Sequence, residues 1–245
     1  SVNIDYEHNY NYYTGSGQVN IKFRSNDLLS DYNFSRINLE AINKTRLGKF
    51  DLRTRYFAQW GSGNDVPFES SLMLAGGNTE DMLDNKYTRS RGFFPDEWVN
   101  FGETTGHFHY GGGLNLRGYA GYLVADSSAT DGTFYAFSGI SGTSVNVELQ
   151  FNRLFNFKLI KFIKMEPYLF ADAGIISPDE NFDRLSDIRM DAGIGSAFTW
   201  SWFGPLETVK PITVRVDLPL FLNRTPFVDS DFVKFRYVIG INRAF

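Results

Sequence analysis

The chain has 245 residues, carries a net charge of -4 at pH 7 and contains no cysteine. Without cysteine there is no disulfide framework, no thiolate zinc site and no cysteine nucleophile. The slightly acidic balance, with 24 lysines and arginines in all, argues against a nucleic-acid partner, because such proteins concentrate cationic residues on one face.

Hydrophobic residues make up 42% of the sequence, yet none of their runs has the length of a membrane-spanning helix. Such a helix needs ~20 mostly apolar residues. The longest candidate, at 155–165, is shorter and contains lysines. No charged segment followed by an apolar core opens the chain, so we expect any targeting segment to have been removed or to lie upstream.

Strict alternation of apolar and polar residues predicts strands in the first part of the chain, because successive side chains of a strand point to opposite faces. The apolar members of two such runs are Val19, Ile21 and Phe23, and then Phe50, Leu52, Tyr56 and Trp60. The predicted strands lie at 2–13, 16–26, 32–44 and 49–61 and are joined mostly by tight turns. Residues 62–143 then form a long polar connection rich in Gly, Asp, Asn and Ser.

Alternation returns after this connection and predicts five further strands, at 144–152, 166–176, 188–200, 211–221 and 232–245. Most of the predicted strands have ~9 to 14 residues, which suits tilted strands that cross a bilayer. Residues 153–164 mix Phe, Leu and Ile with Lys and Arg. They are either an amphipathic segment in the membrane interface or an extension of the flanking strands.

The alternation favours an all-β fold, namely a transmembrane antiparallel β-barrel with about nine or ten strands in this chain. Phe and Tyr crowd the apolar faces, as in the aromatic girdles of membrane barrels, while the polar faces carry charges and glycines that suit a wet lumen. Connections also alternate between tight turns and long loops. A soluble sandwich or up-and-down barrel alternates as well and is the competing interpretation.

Three segments resemble a known family of membrane barrels. The long connection contains GGGLNLRGY at 111–119, and Glu148 and the run FADAG at 170–174 follow on two successive strands. In order and placement these resemble the BamA-like superfamily of outer-membrane assembly and two-partner-secretion barrels, also called the bacterial surface antigen family. That family has a [VI]RG[FY] motif on a loop folded into the lumen, an acidic residue on the next strand and an FxDxG motif on the strand after it. Leu116 stands where Val or Ile is usual.

The resemblance implies a lumen latch formed by Arg117, Gly118, Tyr119, Glu148, Phe170, Asp172 and Gly174. Physical reasoning agrees, because a buried guanidinium needs carboxylates to offset its desolvation and its planar fork pairs well with them. Strand parity directs Glu148 to the polar face, and Asp172 shares a face with Gly174. Gly118 lets the backbone pass close to the wall or adopt a positive φ, with Tyr119 packed beside it. A chance LRGY tetrapeptide in a surface loop is the alternative.

The end of the chain resembles the last strands of the same superfamily, through AGIGSAFTW at 192–200, FGPL at 203–206, VRVDLPL at 214–220 and VIGINRAF at 238–245. By this resemblance, the C-terminal insertion signal consists of Tyr237, Ile239, Ile241 and Phe245. The resemblance covers 62–245, and the family barrel has sixteen strands. We therefore expect residues 1–245 to be a single β-barrel domain, the C-terminal portion of a larger barrel, with 62–143 as a long extracellular loop. A complete barrel of ten strands, with one hidden in that loop, is the competing count.

The resemblance implies that the chain functions in the insertion or translocation of other polypeptides at the bacterial outer membrane, without bond-making chemistry. No hydrolase motif or phosphate loop is visible, so we expect no catalytic residue, metal ion or cofactor. His107 and His109 place two imidazoles on one side of a strand, but a metal ion needs further ligands. Expected partners are outer-membrane lipids, client polypeptides, and periplasmic domains or lipoprotein subunits of an assembly complex. Two alternatives stay open: a barrel that anchors an upstream peptidase or lipase domain, and a passive pore or structural subunit of an outer-membrane complex.

Overall fold

The computed structural model describes residues 2–26, 33–63, 66–84, 106–122, 125–126, 134–135, 137–154, 157–160, 163–179, 185–200, 212–226 and 230–245. The strands in chain order are β1 (Val2–Tyr12), β2 (Gly15–Ser25), β3 (Ser35–Leu47), β4 (Phe50–Ser62), β5 (Leu72–Met73), β6 (Gly106–Phe108), β7 (Ala125–Asp126), β8 (Phe134–Tyr135), β9 (Ser138–Gly139), β10 (Ser141–Gln150), β11 (Phe157–Ile160), β12 (Ile163–Ser177), β13 (Arg189–Trp200), β14 (Ile212–Leu222) and β15 (Tyr237–Ile241). The described residues also form the helix α1 (Thr79–Asp84) and 3-10 turns at Phe68–Ser70 and Arg117–Tyr119. No helix in this part of the chain has the length and apolar character of a membrane span.

Most of these strands belong to one large sheet, in the spatial order β1-β2-β3-β4-β10-β12-β13-β14-β15-β6, with β11 paired to β12 beside this path. Neighbours run antiparallel except at the end of the sheet, where β15 and β6 run parallel. The prediction of an all-β, mostly antiparallel fold is therefore confirmed. The sheet is open, since within the described strands no pairing joins β1 to the opposite end.

The nine strands predicted from alternation are all present, most of them with ends shifted by a few residues. The largest difference is in the last one, predicted at 232–245, which forms only at Tyr237–Ile241. Asn242 follows with a left-handed φ of 68°, a conformation that Asn tolerates better than most residues and that ends the extended strand. The prediction of a strand that continues to 245 is therefore wrong.

Strand β11 bears on the two interpretations of residues 153–164. It pairs antiparallel with the start of β12, with Phe157 opposite Met165. Strand pairing at this point supports the extension of the flanking strands over a separate amphipathic segment in the interface.

Alternation does not predict the short elements inside the 62–143 connection. Because β4 pairs directly with β10, this connection is an insertion between two neighbouring strands. Its described residues contain α1 and the short strands β5 to β9, of which β6 joins the large sheet while the others form two small ones. Strands of two or three residues are too short to show a period. Residues 85–105 and the FGPL turn at 203–206 lie outside the described residues.

The large sheet has one apolar and one polar face. Large hydrophobic side chains of the apolar face are exposed; among them are Ile4, Ile21, Ile37, Trp60, Val145, Leu169, Ile194 and Phe221. On β1 the polar face is exposed as well, but from β4 to β14 it is largely buried, and its buried side chains there include Arg55, Asn146, Glu148, Asp172, Asp191, Arg215 and Asp217. In the described part of the chain, buried polar and charged residues thus outnumber buried hydrophobic ones, which reverses the usual composition of a protein interior.

The insertion packs on the polar face, where α1 lies beside β2 and β3. A reciprocal cap begins this helix: Asp81 N donates to Asn78 Oδ1 at 2.9 Å, and Asn78 N donates to Asp81 Oδ2 at 3.1 Å. Glu80, in the first turn, accepts hydrogen bonds from Arg24 Nη1 at 2.5 Å and from Ser70 Oγ at 2.7 Å. The bond from Arg24 connects the insertion to β2, and the bond from Ser70 holds Glu80 in place within the insertion.

Candidate functional site

A short 3-10 turn that begins at Arg117 lies buried against the polar face of the sheet. Two backbone hydrogen bonds of 3.0 Å hold the residues before it, from Leu114 and Leu116 to the carbonyls of Met73 and Leu74. The side chains of Leu114, Leu116 and Leu74 belong to a buried hydrophobic cluster between the insertion and the sheet. This cluster positions Arg117 over β10 and β12.

Arg117 binds two carboxylates on neighbouring strands. Its Nε and Nη2 donate to Oδ2 and Oδ1 of Asp172 at 2.8 and 3.0 Å, which is a bidentate pair. Its Nη1 donates to Oε1 of Glu148 at 2.8 Å. The guanidinium also stacks on Phe170, with Cζ 3.9 Å from the ring centroid. The structure thus brings together four residues of the predicted latch, all of them buried.

Strand register explains why these positions meet. Asn146 is directly opposite Asp172 in the β10–β12 ladder, and Glu148 is opposite Phe170, so all four point to the polar face. Asn146 takes part in the site, because its Nδ2 donates at 3.1 Å to Asp172 Oδ1 and at 3.1 Å to the carbonyl of Asn115. Our sequence reasoning missed Asn146, although its place two residues before Glu148 was a usable signal.

The charge of Arg117 is stabilised by its partners. Burial acts to lower the pKa of Arg117, but the carboxylates of Asp172, Asp217 and Glu148 outweigh this and raise it well above its ordinary value. The guanidinium therefore stays charged at physiological pH. A buried charge loses its hydration, and direct pairing is what offsets that loss. The acids are consequently required for Arg117 to remain where it is.

A second buried ion pair adjoins the latch on β14. Asp217 Oδ1 lies 3.9 Å from Nη1 of Arg117, and Asp217 Oδ2 accepts a hydrogen bond from Arg215. The hydroxyl of Tyr168 on β12 also donates to Asp217. Arg215 then donates to Nδ1 of His109 and, at 3.2 Å, to the carbonyl of the same residue. A chain of polar contacts therefore runs from β12 through Arg117 and β14 to the insertion, and sequence reasoning did not predict its β14 part.

His109 is a buried imidazole at the end of this chain. Because a guanidinium can only donate, Nδ1 must accept, and the ring proton of neutral His109 lies on Nε2. Burial, followed by the positive charges of Arg215 and Arg117, lowers the pKa of His109 well below its ordinary value of 6.5. His107 also lowers the pKa of His109, whereas a contact to the Ala75 backbone raises it.

In the described ranges, no three His, Asp or Glu side chains are arranged to hold a metal ion.

Gly118 is required by a close approach to the sheet. A Cβ at this position would lie 2.5 Å from Leu222 Cδ2 and 2.6 Å from Asp191 Cβ. Its φ is not positive, so of the two expected reasons for glycine the close approach is the one that holds. Gly174, the last residue of the predicted latch, lies on β12 and faces the side chain of Leu116.

Tyr119 anchors the other end of the turn. Its hydroxyl lies 2.9 Å from the carbonyl oxygen of Arg224, to which it donates. Burial, and after it the charge of Asp191, raises the pKa of Tyr119 to about 12, so the phenol stays protonated and able to donate. The guanidinium of Arg189 lies over its ring, with Cζ 5.7 Å from the centroid. The turn is thereby fixed to the end of β14 as well as to β10 and β12.

The structure separates the residues of the predicted insertion signal, which are Tyr237, Ile239, Ile241 and Phe245. The first three share one face of β15. Phe245 does not continue that face, because the left-handed Asn242 interrupts the alternation and the chain turns toward the polar side. There the Phe245 ring centroid lies 5.3 Å from Cζ of Arg53 on β4. Recognition of these residues during insertion stays a prediction.

No protein-family model matches the chain, and the search of curated proteins gave no match. The likeness to the BamA-like superfamily therefore depends on the residues described above.

Replacing Arg117 with alanine should destabilise the protein strongly, because it leaves Glu148 and Asp172 buried without their cation. Removal of one partner from a buried ion pair typically costs about 3–5 kcal/mol. We expect a loss of this order in the free energy of unfolding, measured by urea titration. Arg117→Lys should cost less, since it keeps the charge while losing the bidentate fork.

Arg46→Ala is the matched control. Arg46 is exposed on β3, and its loss should change the free energy of unfolding by less than about 0.5 kcal/mol. An Arg117→Ala protein that is as stable as Arg46→Ala would contradict a stabilising latch.

Acid should weaken the fold through His109. The unfolded chain has the ordinary pKa of 6.5 at this residue and the folded chain a lower one, so the unfolded state binds the proton first as the pH falls. The contribution of His109 to stability is therefore complete above pH 6.5 and is lost progressively below it. His109→Gln should remove this part of the decline, measured as the free energy of unfolding from about pH 7.5 to about pH 5.

His8→Gln removes an exposed imidazole from β1 and serves as the control. It should keep the acid-dependent decline. If the His109→Gln and His8→Gln proteins lose stability in parallel as the pH falls, the assignment of a neutral buried His109 is wrong.

Proposed function

We propose that the chain is part of an outer-membrane β-barrel of the BamA-like kind and takes part in inserting or translocating other polypeptides. One observation carries this proposal: a loop arginine is buried between carboxylates of two strands, on the polar face of a sheet whose other face is apolar and exposed. An RGY loop, an acid on the next strand and an FxDxG strand after it are the marks that the superfamily resemblance implies. Their contacts in this fold support the assignment.

The exposed apolar face supports a membrane location. It extends from β1 to β14 and carries aliphatic and aromatic side chains. In water a contiguous apolar face of this width marks an interface or causes aggregation. In a bilayer the same face contacts lipid tails, and strands of 10 to 15 residues are long enough to cross. Outer-membrane lipids are then the partner of this face.

The polar face suits a wet interior. With the insertion, it lines a partly open cavity of about 800 Å³, and Lys22, Arg36, Glu40 and Asn20 are among the lining residues. Side chains of both charge signs keep their hydration in such a space, which a dry core would deny them. We place the described sheet in a larger barrel, as the sixteen-stranded pattern of the superfamily implies, with this cavity as part of its lumen.

β15, the last strand of the large sheet before the insertion strand β6, supports a role in handling other chains. β15 pairs with β14 over only four positions, whereas β1 and β2 pair over eleven. A weakly paired strand near the end of a sheet accepts an added strand at its backbone edge. A client strand would gain hydrogen bonds at the edge of β15, and periplasmic domains or lipoprotein subunits would deliver it.

A charge on the apolar face should block membrane insertion. Ile194 on β13 is 45% exposed, and an arginine there would cost about 2–4 kcal/mol near the bilayer midplane. We expect Ile194→Arg to lower the folded fraction in lipid vesicles, measured by heat-modifiable mobility in electrophoresis. Leu83→Arg, at a 58% exposed position of α1 in the insertion, is the control and should insert normally. Equal insertion of both variants would argue against a lipid-facing sheet.

The proposed activity is tested with an unfolded client. The full-length protein in vesicles of outer-membrane lipid should speed the folding of a urea-unfolded, eight-stranded outer-membrane barrel added from outside. We expect Arg117→Ala to reduce this acceleration and Arg46→Ala to retain it. A protein that inserts normally yet leaves client folding at the rate of empty vesicles would instead be an anchor or a structural subunit.

A further inference from the structure

The outer edge of the last strand is covered by part of the insertion. β6 pairs in parallel with β15, with Phe108 opposite Ile239. The contact continues beyond β6, since His109 N donates to the carbonyl of Ile239 at 2.8 Å. We call residues 106–111 the covering segment. Its backbone occupies the edge at which a barrel would add its next strand.

Close contacts hold the covering segment beside β15. Arg215 on β14 donates to the ring and to the carbonyl of His109. That carbonyl comes so near the last strand that a Cβ at Gly240 would lie 2.7 Å from its oxygen. At the end of the segment, a Cβ at Gly111 would lie 2.2 Å from the carbonyl oxygen of Ala244. Side chains at either glycine would force the two backbones apart.

The direction of the covering segment is incompatible with barrel closure. The other neighbours along the described path of the sheet run antiparallel, and a membrane barrel adds each strand in that direction. The covering segment runs parallel instead and already uses the carbonyl of Ile239. A parallel segment and an antiparallel strand cannot occupy one edge together. The edge therefore has two exclusive occupants.

We propose that the covering segment closes the edge of β15 and must leave it before another strand can pair there. The chain thus carries its own substitute for an incoming strand. This inference rests on the proposed function, because a client strand is what the edge would receive. It adds to that function a resting state in which residues of the insertion close the edge of β15.

The buried polar network explains how the resting state is maintained. Asp217 lies between Arg117 and Arg215, and Arg215 contacts His109 in the covering segment. One continuous polar network therefore holds both the latch and the covering segment. By contrast, β15 itself has only four ladder positions with β14. Once the covering segment is released, β15 can therefore shift to pair with another strand.

Disulfide trapping tests the proposal. The chain has no cysteine of its own, so two introduced cysteines form one defined disulfide. His107→Cys and Val238→Cys lie opposite each other in the β6–β15 ladder and would join the covering segment to the edge. Benzoylphenylalanine at Phe235, an exposed position just before β15, reports contact with a client by photo-cross-linking. The full-length protein in outer-membrane lipid vesicles is mixed with the urea-unfolded, eight-stranded barrel as the probe.

We expect the reduced protein to cross-link to the probe. Oxidation should lower the yield of the cross-linked product at least about tenfold, and added reductant should restore it. A second pair, Lys22→Cys with Asn38→Cys, lies opposite on β2 and β3 and joins strands that stay together. Oxidation of this control pair should change client cross-linking by less than about twofold.

Undiminished cross-linking by the oxidised 107–238 pair would overturn the proposal, and so would the absence of cross-linking in both redox states. Cross-linking that oxidation blocks, without any folding of the probe, would support the covering segment and refute the proposed function.

Gly111→Ala gives an independent measurement that needs no disulfide. It should speed hydrogen exchange of the His109 amide and raise client cross-linking, whereas unchanged values of both would also overturn the proposal.

Discussion

The pairing of one guanidinium with two acids determines how the insertion and the sheet fit together. Arg117 cannot remain charged in a buried position without Glu148 and Asp172, and these acids belong to different strands. One side chain therefore fixes both the position of the insertion and its alignment with β10 and β12. A hydrophobic plug could fill the same volume, but only a planar cation requires carboxylates at two defined points.

Alternation predicted the long strands because each separates an apolar from a polar face along most of its length. For the same reason it placed Glu148 and Asp172 correctly on the polar face. The predictions failed where that contrast is lost. Strands β5 to β9 are too short to show a period, and the left-handed Asn242 moves Phe245 to the polar side, against Arg53. Arg117 itself was found through its motif rather than through any period.

The rest of the site depends on pairings that local sequence does not encode. Parity within one strand indicates that Arg215 and Asp217 share a face, but it does not indicate that Arg215 meets His109, which is 106 positions away in the chain. Likewise, the parallel contact of β6 with β15 joins distant segments, one of them three residues long. Such contacts follow from the assembled sheet, since they depend on how the whole insertion folds back onto it.

The direct pairing of β4 with β10 has a consequence for the order of assembly. β1 to β4 are joined by short connections and can zip together locally, whereas β10 must find β4 across the whole insertion. Closing so long a loop costs conformational entropy before any ladder bond forms, and non-local pairing of this kind slows folding. In the folded chain the insertion contacts β2 through Glu80 and Arg24, so docking of the insertion before β10 pairs with β4 would shorten that search. The insertion would then act as a folding scaffold long before it acts as a cover.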